Sequence, residues 1–277
     1  MDLLLRLVQD SPITGQNLLS VIVLGMARVF PLMIYAPFLG ANLLPSQVKV
    51  GFALCLVAIL LPKLLGTMTT LPTWDLMLVI MMVKEFFIGA IIGFLASLPF
   101  QVMSTSGILI DNQRGTGSMS IRDPTQGIQS SPIGIIYNYM LIALFLGAGG
   151  ATAFIDAFQS SYDLVPPDSW IHPSFFHMND FWQFVTSLFG KVVALALQLA
   201  APPFIAMLMT DLFLGIINRL APQVQIAFLG MSLKSLVASV VLFVGWMLIM
   251  KTALLETQNW MGTIPGAIKM MTAHTGH

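Results

Sequence analysis

Long apolar runs alternate with short polar interruptions along this chain. Phe86–Ile110 holds 25 residues without a charge, Pro132–Ile155 holds 24 and Val192–Thr210 holds 19. Each is long enough to form a membrane-spanning helix. Val50–Leu61 (12 residues) and Ser235–Met250 (16 residues) are shorter. They predict helices that dip into the bilayer or extend through their polar flanks. Proline punctuates most of these runs, at Pro31, Pro37, Pro99 and Pro202-Pro203. Each proline removes a helical hydrogen bond and pushes its predecessor out of the α region. The pattern therefore predicts an all-α, membrane-associated protein of broken helices and helical hairpins. A freed backbone group in hydrocarbon is costly unless a neighbour satisfies it, so the breaks are expected against partner subunits or along a water-filled path.

Two polar segments separate the runs. Asp111–Ser131 carries both signs of charge with Gly115, Gly117, Pro124 and Gly127, and reads as a glycine-rich loop. Asp156–Asp180 carries four aspartates, no lysine or arginine, and Pro166-Pro167. The positive-inside rule places that acidic loop on the non-cytoplasmic side. Gly89–Gly93 has the small-xxx-small spacing that lets helices approach closely, although chance gives the same pattern in a glycine-containing apolar chain. Leu146–Gly150 is a second such site or a helix end. Near the C-terminus, a helix over about 189–218 and another over about 224–250 flank a turn at Arg219-Leu-Ala-Pro222-Gln223. A turn centred there sets Asp211 opposite Lys234, and a paired charge is far cheaper in an apolar setting than a lone one. An Asp211–Lys234 interhelical pair is expected; the alternative is a Lys234 that snorkels to water or meets a partner subunit.

Composition narrows the function. Only 24 of 277 residues are charged, against a hydrophobic fraction of 57%. A soluble domain of this length carries about a quarter charged residues. Lysine plus arginine equals aspartate plus glutamate, so no overall field attracts nucleic acid. The single cysteine, Cys55, permits no intramolecular disulfide and reads as a small buried hydrophobe. Met1–Asp10 mixes Arg6 with two aspartates and has no cleavage signature behind it, so the N-terminus is expected to be retained. The 19 methionines suit a deformable packing surface or ordinary apolar filling. Neither a nucleophile elbow nor a phosphate loop, dinucleotide fingerprint or metal-ligand spacing occurs. The four histidines fall in the acidic loop and the tail. No catalytic residue, cofactor site or metal site is expected. What remains are the charges in or beside apolar runs: Arg28, Lys49, Lys84, Glu85, Asp211, Arg219 and Lys234. Such residues form ion relays, as in a secondary transporter of a small solute, or pins that fix packing and assembly.

Three stretches carry a resemblance. Arg28-Val-Phe-Pro31, Ala36-Pro37-Phe38 and Leu44-Pro45-Ser-Gln-Val-Lys49-Val-Gly51 form the first. Gly107-Ile-Leu-Ile-Asp111-Asn-Gln113-Arg114-Gly115, with Pro124 and Ser131-Pro132, forms the second. Asp211-Leu-Phe-Leu-Gly215-Ile-Ile-Asn-Arg219-Leu-Ala-Pro222-Gln223-Val, with Lys234-Ser235, forms the third. In order and spacing they resemble the SctT/FliR family, the export-apparatus proteins of type III secretion injectisomes and bacterial flagella. The second stretch is closer to the injectisome branch.

The resemblance implies an R-type (FliP-like) part over 1–185 fused to an S-type (FliQ-like) hairpin over 186–255, with a tail over 256–277. It implies no cofactor and no reaction. The implied partners are R-type and S-type subunits, a U-type (FlhB-like) subunit, membrane lipid and unfolded secreted proteins. The implied location is the bacterial inner membrane, with the core raised toward the periplasm. The implied role is to form and seal the pore. The 110–131 loop would act as a plug through Asp111, Gln113, Arg114, Gly115, Gly117 and Ser118, while the Pro222-Gln223 turn would lie near the cytoplasmic side.

Overall fold

The computed structural model describes residues 15–40, 44–68, 74–115, 131–169, 179–220 and 226–272. These form seven α-helices and one 3-10 turn, and no strand occurs among them. The helices are α1 (Gly15–Tyr35), α2 (Ser46–Thr67), α3 (Leu76–Arg114), α4 (Pro132–Gly147), α5 (Gly150–Leu164), α6 (Asn179–Leu220) and α7 (Ile226–Thr272). Five helices are long and apolar enough to cross a membrane. With 39, 42 and 47 residues, α3, α6 and α7 extend ~58, ~63 and ~70 Å at ~1.5 Å per residue. That is about twice the ~30 Å of a hydrocarbon core.

Proline breaks the helices less often than the sequence suggests. Pro31, Pro62, Pro99, Pro202, Pro203 and Pro265 all lie inside helices. In apolar surroundings, losing one hydrogen bond costs less than ending the helix and exposing several. Pro37 is the exception: α1 stops at Tyr35, before the Ala36-Pro37 step, and a 3-10 turn follows over Pro37–Leu39. A true break falls at Ala148-Gly149, between the end of α4 and the start of α5. Gly149 has φ +78°, a left-handed conformation that glycine adopts without strain. Leu146–Gly150 is thus a helix end.

Other boundaries also moved. The short Val50–Leu61 run lies within α2, which extends through Lys49 and Lys63. The first polar segment begins later than its composition suggests, because α3 continues through Asp111 and Gln113 to Arg114. The acidic segment also starts as helix, with Asp156 and Asp163 on α5. The tail expected after residue 255 is a continuation of α7 to Thr272, and Ile264 and Ile268 on it are fully buried. Cys55 lies on an exposed face of α2. An evenly apolar helix gives no sequence cue to which side faces inward.

The chain folds as two compact units. The first comprises Met1–Ser97, Gly149–Gln183 and Gln258–His277. Its core joins Leu24, Val29 and Leu32 of α1 to Val57 and Leu64 of α2, Ile88 and Ile92 of α3 and Phe158 of α5. Gly89 and Gly93 face α1. A Cβ on Gly89 would lie 2.8 Å from the carbonyl carbon of Arg28, and one on Gly93 3.3 Å from the Cα of Leu32. The small-xxx-small pattern is therefore a real close crossing.

The second unit comprises Leu98–Ala148 and Phe184–Thr257. Phe100 meets Phe145 edge-on at 5.6 Å, and Gly107 crosses Gly134 in backbone contact. Its α6 and α7 present large apolar side chains outward; Phe243, Val244 and Met247 are each more than three-quarters exposed. Such surface needs lipid or another polypeptide to cover it.

Candidate functional site: two buried polar networks

Arg28, Lys84 and Glu85 gather into one network in the first unit, and Asp211 and Lys234 join Asp111 and Arg114 in another in the second. The first is built on Arg28 of α1, at 0% exposure. The Gly89 crossing brings the Arg28 backbone against α3, one turn beyond Glu85, so the guanidinium reaches that carboxylate. Arg28 Nε donates to Glu85 Oε2 at 2.5 Å and Nη2 donates to Oε1 at 2.9 Å. Nη1 donates to Ser161 Oγ at 3.2 Å, and Nη2 also donates to the Val165 carbonyl at 2.8 Å. The guanidinium carbon stands 4.2 Å from the centre of the Tyr162 ring. A buried ion pair is tolerable when the remaining donors and acceptors are satisfied, and this arrangement satisfies most of them.

Lys84 completes the cluster. Its ammonium contacts Glu85 Oε1 at 2.9 Å and donates to the carbonyls of Pro166 (3.2 Å), Pro167 (2.8 Å) and Ser169 (2.8 Å). One carboxylate thus serves two cations, and four backbone carbonyls of residues 165–169 supply the remaining negative potential.

The second network lies where α3 ends and α4 begins. Asp111, 4% exposed, accepts from Ser131 Oγ (2.6 Å) and the Ile133 amide (3.1 Å) through Oδ2. Its Oδ1 accepts from Arg114 Nη1 at 3.1 Å. Ser131 in turn caps α4 by accepting the Gly134 amide at 2.9 Å. Arg114 Nη2 donates to Ser235 Oγ on α7 at 2.5 Å. Gln113 Nε2 donates to Asp211 Oδ2 on α6 at 3.3 Å. Asp211 Oδ1 meets Lys234 Nζ at 2.5 Å, so the pair expected from the hairpin register forms. Gly115 closes α3 with φ +88°, beside Met231.

Asp211 and Lys234 keep 37% and 21% side-chain exposure. Their pair is therefore expected to contribute only up to about 1 kcal/mol. A double-mutant cycle with Asp211→Asn and Lys234→Met, read by thermal unfolding of the purified assembly, should give a coupling no larger than that. A coupling of several kcal/mol would show a pair much drier than its exposure indicates.

Lys49 is half-buried on α2 and Arg219 is exposed in the last turn of α6. Gly117, Ser118, Pro222 and Gln223 lie outside the described residues. The sequence marks Arg28, Lys84 and Glu85 individually but not their convergence, since 57 positions separate Arg28 from Glu85. It gives no sign of Ser161 or of the carbonyls beyond the Pro166-Pro167 step. Among the described residues, no group of three or more histidine, cysteine, aspartate or glutamate side chains is placed to hold a metal ion.

Residues 19–259 match the family described as Bacterial export proteins, family 1. This chain is a member of that family. Curated relatives agree with the assignment. Yop proteins translocation protein T of Yersinia pestis is 29% identical over 230 residues, which cover 82% of this chain and 86% of the relative. Surface presentation of antigens protein SpaR of Salmonella typhimurium is 29% identical over 226 residues, 82% of each chain. Flagellar biosynthetic protein FliR of Bacillus subtilis is 25% identical over 230 residues, with 82% and 86% covered. The export protein is thus of the SctT/FliR type. Both polar networks lie inside the span that matches the family.

Proposed function

We infer that the protein is a subunit of a type III secretion export apparatus in the inner membrane, a reading supported by its family and by the five long apolar helices among the described residues. We propose that it is a structural and gating subunit that helps form and seal the pore for unfolded secreted proteins, packed against R-type and S-type subunits and a U-type subunit. The observation that carries this reading is the internal closure of its buried charges. Arg28, Lys84 and Glu85 are 0–8% exposed and satisfied within the first unit. Asp111 is tied to Arg114, Ser131 and Ile133 within the second. A solute carrier needs buried charges that exchange partners with cargo, whereas these fix helices in register. The exposed apolar faces of α6 and α7 supply the complementary feature, a surface suited to neighbouring subunits. A core raised toward the periplasm accords with helices about twice as long as a bilayer core.

The sealing role falls on the segment after α3. Deleting Gly115–Ser120 should let the assembled pore conduct ions across a planar bilayer, while co-purification of the partner subunits persists. Unchanged conductance in an intact assembly would reject the plug. Failure to co-purify with R-type and S-type subunits on co-expression would reject the assembly reading itself.

A further inference from the structure

The corner after α5 has an unusual use of backbone. Of its five residues Val165–Ser169, four direct their carbonyls at cations: Val165 at Arg28, and Pro166, Pro167 and Ser169 at Lys84. With Glu85 Oε1, the carbonyls of Pro166, Pro167 and Ser169 make a cage of oxygens around the Lys84 ammonium. An ammonium has three protons to donate, and here four acceptors lie within 3.2 Å. The two cations differ in what they hold. Arg28 is bidentate on Glu85 and joins α1, α3 and α5. Lys84 places three of its four contacts on this one corner, and Val165 and Pro167 are buried there although they belong to no helix.

We infer that Pro166–Ser169 is a cation-binding cage occupied by the tethered ammonium of Lys84, which acts as a latch holding the corner after α5. Arg28–Glu85 is the permanent pin, and Lys84 is the separable element. Proline at 166 and 167 leaves no amide proton at either position to repel the ammonium, while the Pro166 carbonyl also accepts from the Ser169 amide (3.1 Å) and hydroxyl (2.9 Å).

The test uses a Cys55→Ser background, which removes the exposed native thiol, with a reporter thiol from Val165→Cys, a buried position in the corner whose apolar side chain makes no hydrogen bond. The chain is purified in assembly with its partner subunits, and maleimide labelling is timed. Lys84→Met keeps the apolar stem and removes the charge. It should speed labelling roughly tenfold or more, because the charged hydrogen bonds that hold the corner shut are gone. Labelling as slow as in the parent would overturn the latch, since stem packing alone would then hold the corner. If Lys84→Met does not assemble, Lys84→Ala leaves the cage vacant, and assembly is measured with added methylammonium. Recovery supports an ammonium cage; no recovery overturns it.

Discussion

Glu85→Ala should leave little folded protein in the membrane. The substitution strands Arg28 and Lys84, two cations at 0% and 8% exposure, with no carboxylate between them. Breaking a buried ion pair from one side costs about 3–5 kcal/mol, because the remaining charge is neither solvated nor paired. A typical domain has only about 5–15 kcal/mol to lose. The carbonyls of residues 165–169 soften the loss but cannot replace a formal charge at bonding distance from Arg28. Glu85→Gln should lie between the parent and Glu85→Ala, since it keeps an acceptor while removing the charge. Replacing Arg28, Lys84 and Glu85 together by Met, Met and Leu should recover part of the loss, because apolar side chains of similar size often substitute for buried ion pairs at small cost. The recovery should be incomplete, since the carbonyls of Val165, Pro167 and Ser169 would lose the donors that Arg28 and Lys84 supply. Membrane abundance and protease resistance of the three variants, set against the parent, check this ordering. Parental abundance of Glu85→Ala would show that water reaches the cluster.

Gly107→Val should be nearly as damaging, for a steric reason. A Cβ on Gly107 would lie 2.8 Å from the carbonyl carbon of Ile133 and closer still to the Gly134 backbone. Backbone cannot rotate away as a side chain does, so α3 and α4 must separate. Overpacking of this kind costs typically 1–3 kcal/mol. It also pulls Asp111, one turn further along α3, from the Ile133 amide and the Ser131 hydroxyl. Gly89→Ala should act likewise in the other unit, by driving α1 from α3 and stretching the Arg28–Glu85 pair. Gly66 and Gly215 provide the control, because nothing lies within 4 Å of a Cβ at either. Alanine there should be neutral or stabilising by up to about 1 kcal/mol, as expected for glycine replaced inside a helix. Thermal unfolding of the purified assemblies separates the two groups. Equal behaviour at Gly107 and Gly66 would show that the α3–α4 crossing is looser than it stands here.

The sequence was informative where local periodicity and turn position suffice. The all-helical class follows from apolar runs that leave no polar face for a soluble sheet or bundle. The Asp211–Lys234 pair follows from counting residues away from one turn, since antiparallel helices share a rise per residue. Proline misled, because its local penalty was weighed without its surroundings; inside apolar packing the rest of the helix outweighs one missing bond. Cys55 and the limits of both polar segments misled for the related reason that composition does not report facing. Pairings such as Arg28 with Glu85 and Arg114 with Ser235 were not legible, because they join residues 57 and 121 positions apart.

By itself, the sequence determined the solvent this protein requires, its helical class, its family and the identity of the charges that apolar surroundings must accommodate. Those follow from composition, spacing and the cost of bare backbone in hydrocarbon. Only the tertiary structure decided which charges meet, which glycines are crossings and which carbonyls turn inward. Each of these depends on distances between segments remote in the chain, which close packing fixes and local propensity does not encode.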